Sequence, residues 1–294
     1  MVYRAAIDCG TNAIRLLVVD DSGAVVRRDN TIIRLGQDVD KTGRLAPEAF
    51  ARFQKALDVY AQTMKSYSVG PVRMVATSAM RDASNVSDFF DYTTKVLGKP
   101  AEIISGEEEA QLSYKGATES LKLSGRSCVI DLGGGSTEFV TDAGAYSTRM
   151  GCVRLTERFG LETEESVEAA RSYVREQLAI MQQHVDISAV DHIVGVAGTF
   201  ITVAVVALDL DSYDEATIDG QVISFEQMRS ITQKLIHQSP QERAADPRII
   251  AGRSDVIAGG CIVIEEVMAM FEQFGHSQLH ISVSDLLDGI ISEL

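Results

Sequence analysis

The sequence has few of the residues that build metal centres, disulfides or membrane spans. Its four cysteines, Cys9, Cys128, Cys152 and Cys261, show no CxxC spacing. They read as small buried hydrophobes in a reducing compartment, and the cytoplasm is the expected location. The five histidines show no ligand spacing, so a zinc site is not expected. Long apolar runs are lacking too. Phe200 to Leu208 is too short to cross a bilayer and Val256 to Phe271 carries Glu265 and Glu266, so both read as core helices and no membrane role is expected. The opening MVYRAAIDCG goes straight into a strand, with neither a basic n-region nor a long apolar h-region, so a secretory signal is not expected. Positive charge is in deficit: 27 Lys and Arg against 42 Asp and Glu give a net charge of −15. That argues against a nucleic-acid or anionic-membrane surface. It leaves room for a small or linear phosphate substrate, because screening over about 8 Å lets a cleft feel its own residues and not a remote acidic face.

What is present is a globular composition of 45% apolar and 23% charged residues over 294 positions, enough for ample core. Ala5 to Asp21 reads AAIDCGTNAIRLLVVDD, two apolar runs joined by far more polar chemistry than a hairpin turn needs. Ser127 to Asp142, SCVIDLGGGSTEFVTD, repeats the plan and suggests an internally duplicated fold with a site between the halves. Strands are expected near Tyr3–Ile7, Ile14–Val19, Val25–Ile33, Val72–Ala76 and Ala101–Ser105. Helices are expected at Pro47–Ser66 (stripe Phe50, Phe53, Leu57, Tyr60, Met64), at Ser87–Leu97 and from Gly106. The second half predicts a strand before Asp131 and a hairpin return near Gly134–Thr141. A helix over roughly Thr163–His184 and a strand Ile193–Val196 follow, then a helix capped by Ser224 and Gln227. A strand Leu279–Val283 and a last helix Ser284–Leu294 complete it. No Pro/Gly-rich linker separates the halves. Two α/β domains, each a mixed sheet with packed helices, are expected around a cleft.

Five segments carry candidate chemistry. In Asp8-Cys9-Gly10-Thr11-Asn12, Gly10 permits close backbone approach, and turn N–H groups with Thr11 and Asn12 form an anion-binding concavity. Asp8 repels phosphate and makes sense through a hydrated Mg²⁺; the bland alternative is a polar turn. Gly133-Gly134-Gly135-Ser136 places three glycines where a sheet is expected, which suggests close approach of a ligand, or a bulge. Glu138 follows, where it can point back toward that loop. Glu107-Glu108-Glu109 opens a helix, where the dipole alone rewards acids by about 0.3–1 kcal/mol each, or where crowding poises one as a base. Arg81 ends a strand segment and suits either bidentate phosphate binding or a surface ion pair. Gly198-Thr199 forms a strand-to-helix turn suited to phosphate or to plain helix packing.

Together these segments resemble the exopolyphosphatase / guanosine pentaphosphate phosphohydrolase (Ppx/GppA) family of the actin, Hsp70 and sugar-kinase superfamily. The resemblance rests on DCGTNAIRLLV, ATSAMRDASN, IISGEEEAQLSYKGA, VIDLGGGSTEFV, STRMGCVRLTERF and GVAGTFITV, in that order. It implies two duplicated actin-like (ribonuclease H-like) α/β domains with an interdomain cleft: 1–121, completed by the helix 284–294, and 122–283. It implies phosphate loops at Gly10–Asn12 and Gly133–Ser136, Glu109 as the base for the attacking water, and Glu138 as a second catalytic carboxylate. Asp8, Asp131 and Glu138 would be metal-associated acids for Mg, or Mn in its place, and Arg81 the contact to terminal phosphates.

The implied reaction is hydrolysis of the terminal phosphoanhydride of polyphosphate, with guanosine pentaphosphate as the alternative substrate. An ATP-dependent small-molecule kinase or a non-catalytic phosphate sensor are the readings from other classes. No nucleic-acid partner is expected, and a homodimer is compatible with the resemblance. Arg15, Arg34, Arg149 and Arg253 lie near motifs and are unranked. Longer relatives add an HD-type helical region, which is not expected here, and many carry Arg-Glu-Gly where this sequence has Leu287-Asp288-Gly289; both bear on processivity with long polymers.

Overall fold

In the computed structural model, which describes residues 2–294, two mixed sheets organise the chain. The first contains β1 (Arg4–Cys9), β2 (Ala13–Val19), β3 (Val25–Ile32), β4 (Val72–Ala76) and β5 (Glu102–Ile103) in the order β3-β2-β1-β4-β5. The second contains β6 (Ser127–Leu132), β7 (Thr137–Thr141), β8 (Gly144–Thr148), β9 (His192–Val196), β10 (Val222–Ser224) and β11 (Gln278–Ile281) in the order β10-β11-β9-β6-β7-β8. The duplication is explicit in the pairing. β1 runs antiparallel to β2 and parallel to β4, while β6 runs antiparallel to β7 and parallel to β9. β10 is an added antiparallel edge strand. The two sheets thus share one duplicated α/β plan. The chain divides into two compact units, Met1–Gly116 with Leu286–Leu294, and Ala117–Asp285.

In the first unit, strand alternation sends Ala5, Ile7 and Cys9 to one face of the sheet and Ala6 and Asp8 to the other. The first face packs on helices Pro47–Ser66 and Ser87–Leu97 through Phe53, Leu57, Tyr60 and Phe89. Pro47 occupies the first helical turn, where its missing N–H removes no intrahelical bond. The second face packs on helix Gly106–Leu121 through Leu112 and on helix Leu286–Ile291. These two helices meet backbone to backbone: a Cβ at Gly289 would lie 2.0 Å from the Leu112 carbonyl oxygen. Asp288 fixes the same helix by a two-pronged ion pair with Arg28, at 2.9 and 3.2 Å.

In the second unit Cys128, Ile130 and Leu132 of β6 point into one large core. Helices Cys152–Phe159, Glu164–Met181, Ala197–Ala207, Phe225–His237 and Ile257–Glu272 supply the rest of it. Ile257–Glu272 is apolar almost all round, as a helix enclosed by neighbours must be. Its buried Glu265 is neutralised by Arg171 and accepts a hydrogen bond from Thr232 at 2.8 Å. No helix among the described residues is long and apolar enough to cross a membrane.

Several expectations need correction. The triple glycine lies in the turn between β6 and β7, not in the sheet, because β6 ends at Leu132. The strand expected over Ala101–Ser105 contracts to β5, and the last helix contracts to Leu286–Ile291, with Ser282 and Asp285 buried ahead of it. Phe50 is only partly buried at the rim of the first core, and Ala49 and Ala56 take the inward positions beside Phe53. Arg81 lies within a short helix, Ser78–Asp82. The helix Cys152–Phe159 and strands β8 and β10 were not expected.

Candidate active site

In the first unit the turn between β1 and β2 is closed by the Gly10 N–H, which bonds the Ala13 carbonyl at 2.9 Å. The segment after β3 then captures the turn's carbonyls. Thr11 O accepts from Gly36 N at 2.8 Å, and Asn12 O accepts from Ile33 N and Arg34 N at 2.9 and 2.8 Å. In a planar trans peptide the N–H points opposite to the carbonyl, so this aims the Asn12 N–H away from the captured side. Neither Thr11 nor Asn12 donates its backbone N–H to a backbone carbonyl. Their side chains are 6% and 8% exposed, yet Thr11 Oγ1 and both Asn12 amide atoms lack hydrogen-bond partners. Buried polar groups are otherwise almost always satisfied. The turn is therefore lined with donors available to a ligand.

On the neighbouring face, helix Gly106–Leu121 brings Glu109 to Arg81: Arg81 Nη1 donates to Glu109 Oε2 at 2.7 Å and to the Ile104 carbonyl at 3.1 Å. Glu109 is buried, and Arg81 keeps its Nε and Nη2 donors off any described protein group. The ion pair that competed with phosphate binding thus exists, with Glu109 as the partner. Glu108 is tied to Arg73 at 2.8 Å, and Glu107 is exposed. Asp8 lies directly across the strands from Arg15, whose Nε and Nη2 both donate to Asp8 Oδ2 at 2.9 and 2.7 Å.

The second unit repeats this geometry with different charges. Gly133 N bonds Ser136 O at 3.0 Å, as Gly10 bonds Ala13. Asp131 of β6 faces Glu138 of β7, the register position at which Asp8 faces Arg15. Both carboxylates are buried, at 5% and 0% exposure, and Glu138 Oε1 accepts from Ser147 at 2.7 Å. Like charges directly opposite across a strand pair repel, and the groups that surround both side chains offset this. That donor set fits one hard cation. No group of three or more His, Cys, Asp or Glu side chains is assembled among the described residues. Mg²⁺ does not need one, because it keeps several waters and takes one or two carboxylates plus substrate phosphates. Asp8 engages Arg15 through Oδ2.

Gly198 and Thr199 are placed differently from the two turns. The Arg253 guanidinium covers Gly198, where a Cβ would fall 1.9 Å from Nη1. Thr199 is 1% exposed and packs on Gly260. Ala197, just before them, sits at φ 69°, a left-handed conformation that costs a residue with a Cβ about 1 kcal/mol or more.

A family model described as the Ppx/GppA phosphatase family matches residues 17–294. The chain belongs to the Ppx/GppA phosphatase family. Exopolyphosphatase 2 of Mycobacterium tuberculosis is 43% identical to it over 99% of this chain and 98% of its own length. Among solved structures, an exopolyphosphatase-like protein matches with a TM-score of 0.95 at 36% identity, covering 99% of this chain and 98% of the other. The Aquifex aeolicus Ppx/GppA member matches with a TM-score of 0.81 at 28% identity, covering 99% and 97%.

Within this Ppx/GppA chain, sequence reasoning left two site features unassigned. Arg15 was one of several unranked basic residues, and only the β1–β2 register identifies it as the partner of Asp8. Arg154 lies within the segment STRMGCVRLTERF but was given no role of its own, yet it is 5% exposed and its Nε donates to the Gly135 carbonyl at 2.6 Å.

Proposed function

We propose that the protein removes the terminal phosphate of inorganic polyphosphate by hydrolysis, releasing orthophosphate. The observation that carries this reading is the first turn, with Thr11 and Asn12 buried, unsatisfied and surrounded by outward N–H groups. Such a surface recognises phosphate oxygens through neutral donors. Identity of 43% to an exopolyphosphatase over the full length supports the substrate class.

In this reading Gly10, Thr11, Asn12 and Arg81 hold phosphate oxygens in the first unit, and Gly133, Gly134, Gly135 and Ser136 do so in the second. Gly198 contributes backbone beside Arg253. Glu109 orients a water and takes its proton as the oxygen attacks the terminal phosphorus. The P–O bond to the bridging oxygen breaks, and the shortened chain leaves carrying that oxygen and its electron pair. Asp131 and Glu138 would hold Mg²⁺, which supplies charge neutralisation to phosphoryl oxygens when bound. The four buried free thiols suit a reducing compartment, and we assign the activity to the cytoplasm.

The test is phosphate release from polyphosphates of defined length and from guanosine pentaphosphate in parallel, with and without Mg²⁺. Divalent-dependent release from polyphosphate is expected to exceed release from the nucleotide. Preference for the nucleotide would reassign the substrate. ATP consumption dependent on an added acceptor would indicate a kinase, and tight binding without turnover a sensor.

A further inference from the structure

The glycine turn of the second unit is held from behind by a single helix end. Cys152 N donates to Gly133 O at 3.1 Å, and Val153 N and Arg154 N donate to Gly134 O at 2.9 and 3.1 Å. The next carbonyl, Gly135 O, has no backbone donor left to it and is taken by Arg154 Nε at 2.6 Å. Contact is so close that only glycine fits at 151, where a Cβ would lie 2.3 Å from the Gly134 carbonyl carbon and oxygen. Three consecutive carbonyls are thus drawn to one side. Peptide planarity then directs the N–H groups of Gly134, Gly135 and Ser136 to the opposite side, and none of them donates to a backbone carbonyl. In the first unit backbone N–H groups capture the Thr11 and Asn12 carbonyls.

We infer that Arg154 is a positioning residue for the phosphate-binding turn: its side chain fixes and polarises the Gly135–Ser136 peptide so that the Ser136 N–H is aimed at a phosphate oxygen. A guanidinium N–H on a carbonyl is a charge-assisted bond, and it strengthens the donor at the far end of the same peptide. The position suits arginine specifically, since a buried ammonium lacks the flat Nε donor beside the backbone. Arg154 touches no substrate in this account. The inference rests on reading Gly133–Ser136 as a phosphate turn.

The experiment uses the full chain with Arg154→Met and Arg154→Lys, following polyphosphate hydrolysis and the ¹⁵N–¹H shifts of Gly134, Gly135 and Ser136 during titration with inorganic phosphate. Arg154→Met is expected to raise KM about tenfold with kcat changed far less, the signature of lost uniform binding. The phosphate-induced shift of the Ser136 amide should weaken in step, and Arg154→Lys should fall between. If phosphate moves the three amides equally in wild type and Arg154→Met, with KM within twofold, the inference on Arg154 fails while the turn's role stands. If phosphate leaves those amides unmoved in the wild type, the turn reading itself fails. Should Arg154→Met not fold, Arg154→Lys carries the test, and failure of both to fold would make Arg154 a core residue and overturn the inference.

Discussion

Glu109→Gln separates the chemistry of Glu109 from its structural bond. The substitution keeps the side-chain shape and leaves an acceptor 2.7 Å from Arg81 Nη1, so the hydrogen bond persists without its charge assistance. The difference between charged and neutral hydrogen bonds is about 1 kcal/mol, and the Arg81 side chain, 22% exposed, has water available. A melting-temperature loss of a few degrees is therefore expected, and the variant stays folded at assay temperature. Catalysis should respond far more. An amide cannot take a proton from water, and removal of a general base costs about 10²–10⁴ in rate, equivalent to roughly 3–5 kcal/mol of barrier. Phosphate release from a defined polyphosphate, with circular dichroism on the same samples, measures both. Glu108→Gln is the control: it ends an ion pair with Arg73, which retains Glu102 and Glu293, and turnover should stay within about twofold. Near wild-type turnover in Glu109→Gln, or an equal loss in Glu108→Gln, would refute the assignment.

Other perturbations probe separate links. Asn12→Leu should raise the melting temperature, because an unsatisfied buried amide costs about 1–3 kcal/mol, while raising KM; a stability loss with KM unchanged would mean the amide serves the fold. Gly289→Ala should destabilise by about 1–3 kcal/mol through overpacking, since its Cβ would meet the Leu112 carbonyl at 2.0 Å; unchanged unfolding in urea would show that the helix shifts freely. Burial, and then the adjacent His192, hold the His280 imidazole below its ordinary value of 6.5. The unfolded chain therefore binds that proton more readily, so stability is full above about pH 6.5 and declines as pH falls through the folded value. His280→Asn should flatten the melting temperature against pH below that point, and an unaltered slope would contradict the assignment. Burial also pushes the Cys128 thiol up to about 12, so native protein should resist thiol reagents at neutral pH and react only on unfolding; rapid native labelling would contradict that burial.

What the sequence disclosed divides along local and non-local physics. Helix Ser87–Leu97 lies where it was expected, and helix Pro47–Ser66 was legible because its periodic apolar stripe is a local signal. So was the cap of Phe225–His237, where Ser224 and Gln227 form the expected reciprocal hydrogen bonds. The helix Cys152–Phe159 was not legible, since its start is defined by carbonyls of a turn remote in sequence. Glycines 133–135 looked like a weakened strand because sequence shows their flexibility but not where β6 stops. Candidate carboxylates were visible as acids, and the Glu109 pairing with Arg81 and the facing of Asp131 and Glu138 are products of packing and register. Arg154 was invisible for the same reason: its partner is a backbone oxygen, which no residue identity encodes.

Hydrolysis of polyphosphate in ¹⁸O-labelled water, followed by mass spectrometry of the released orthophosphate, bears most directly on the central claim. Water attack at the chain end should place one ¹⁸O in each released phosphate and shorten the polymer by one residue per phosphate. Unlabelled phosphate, release of internal fragments, or no release at all would contradict it.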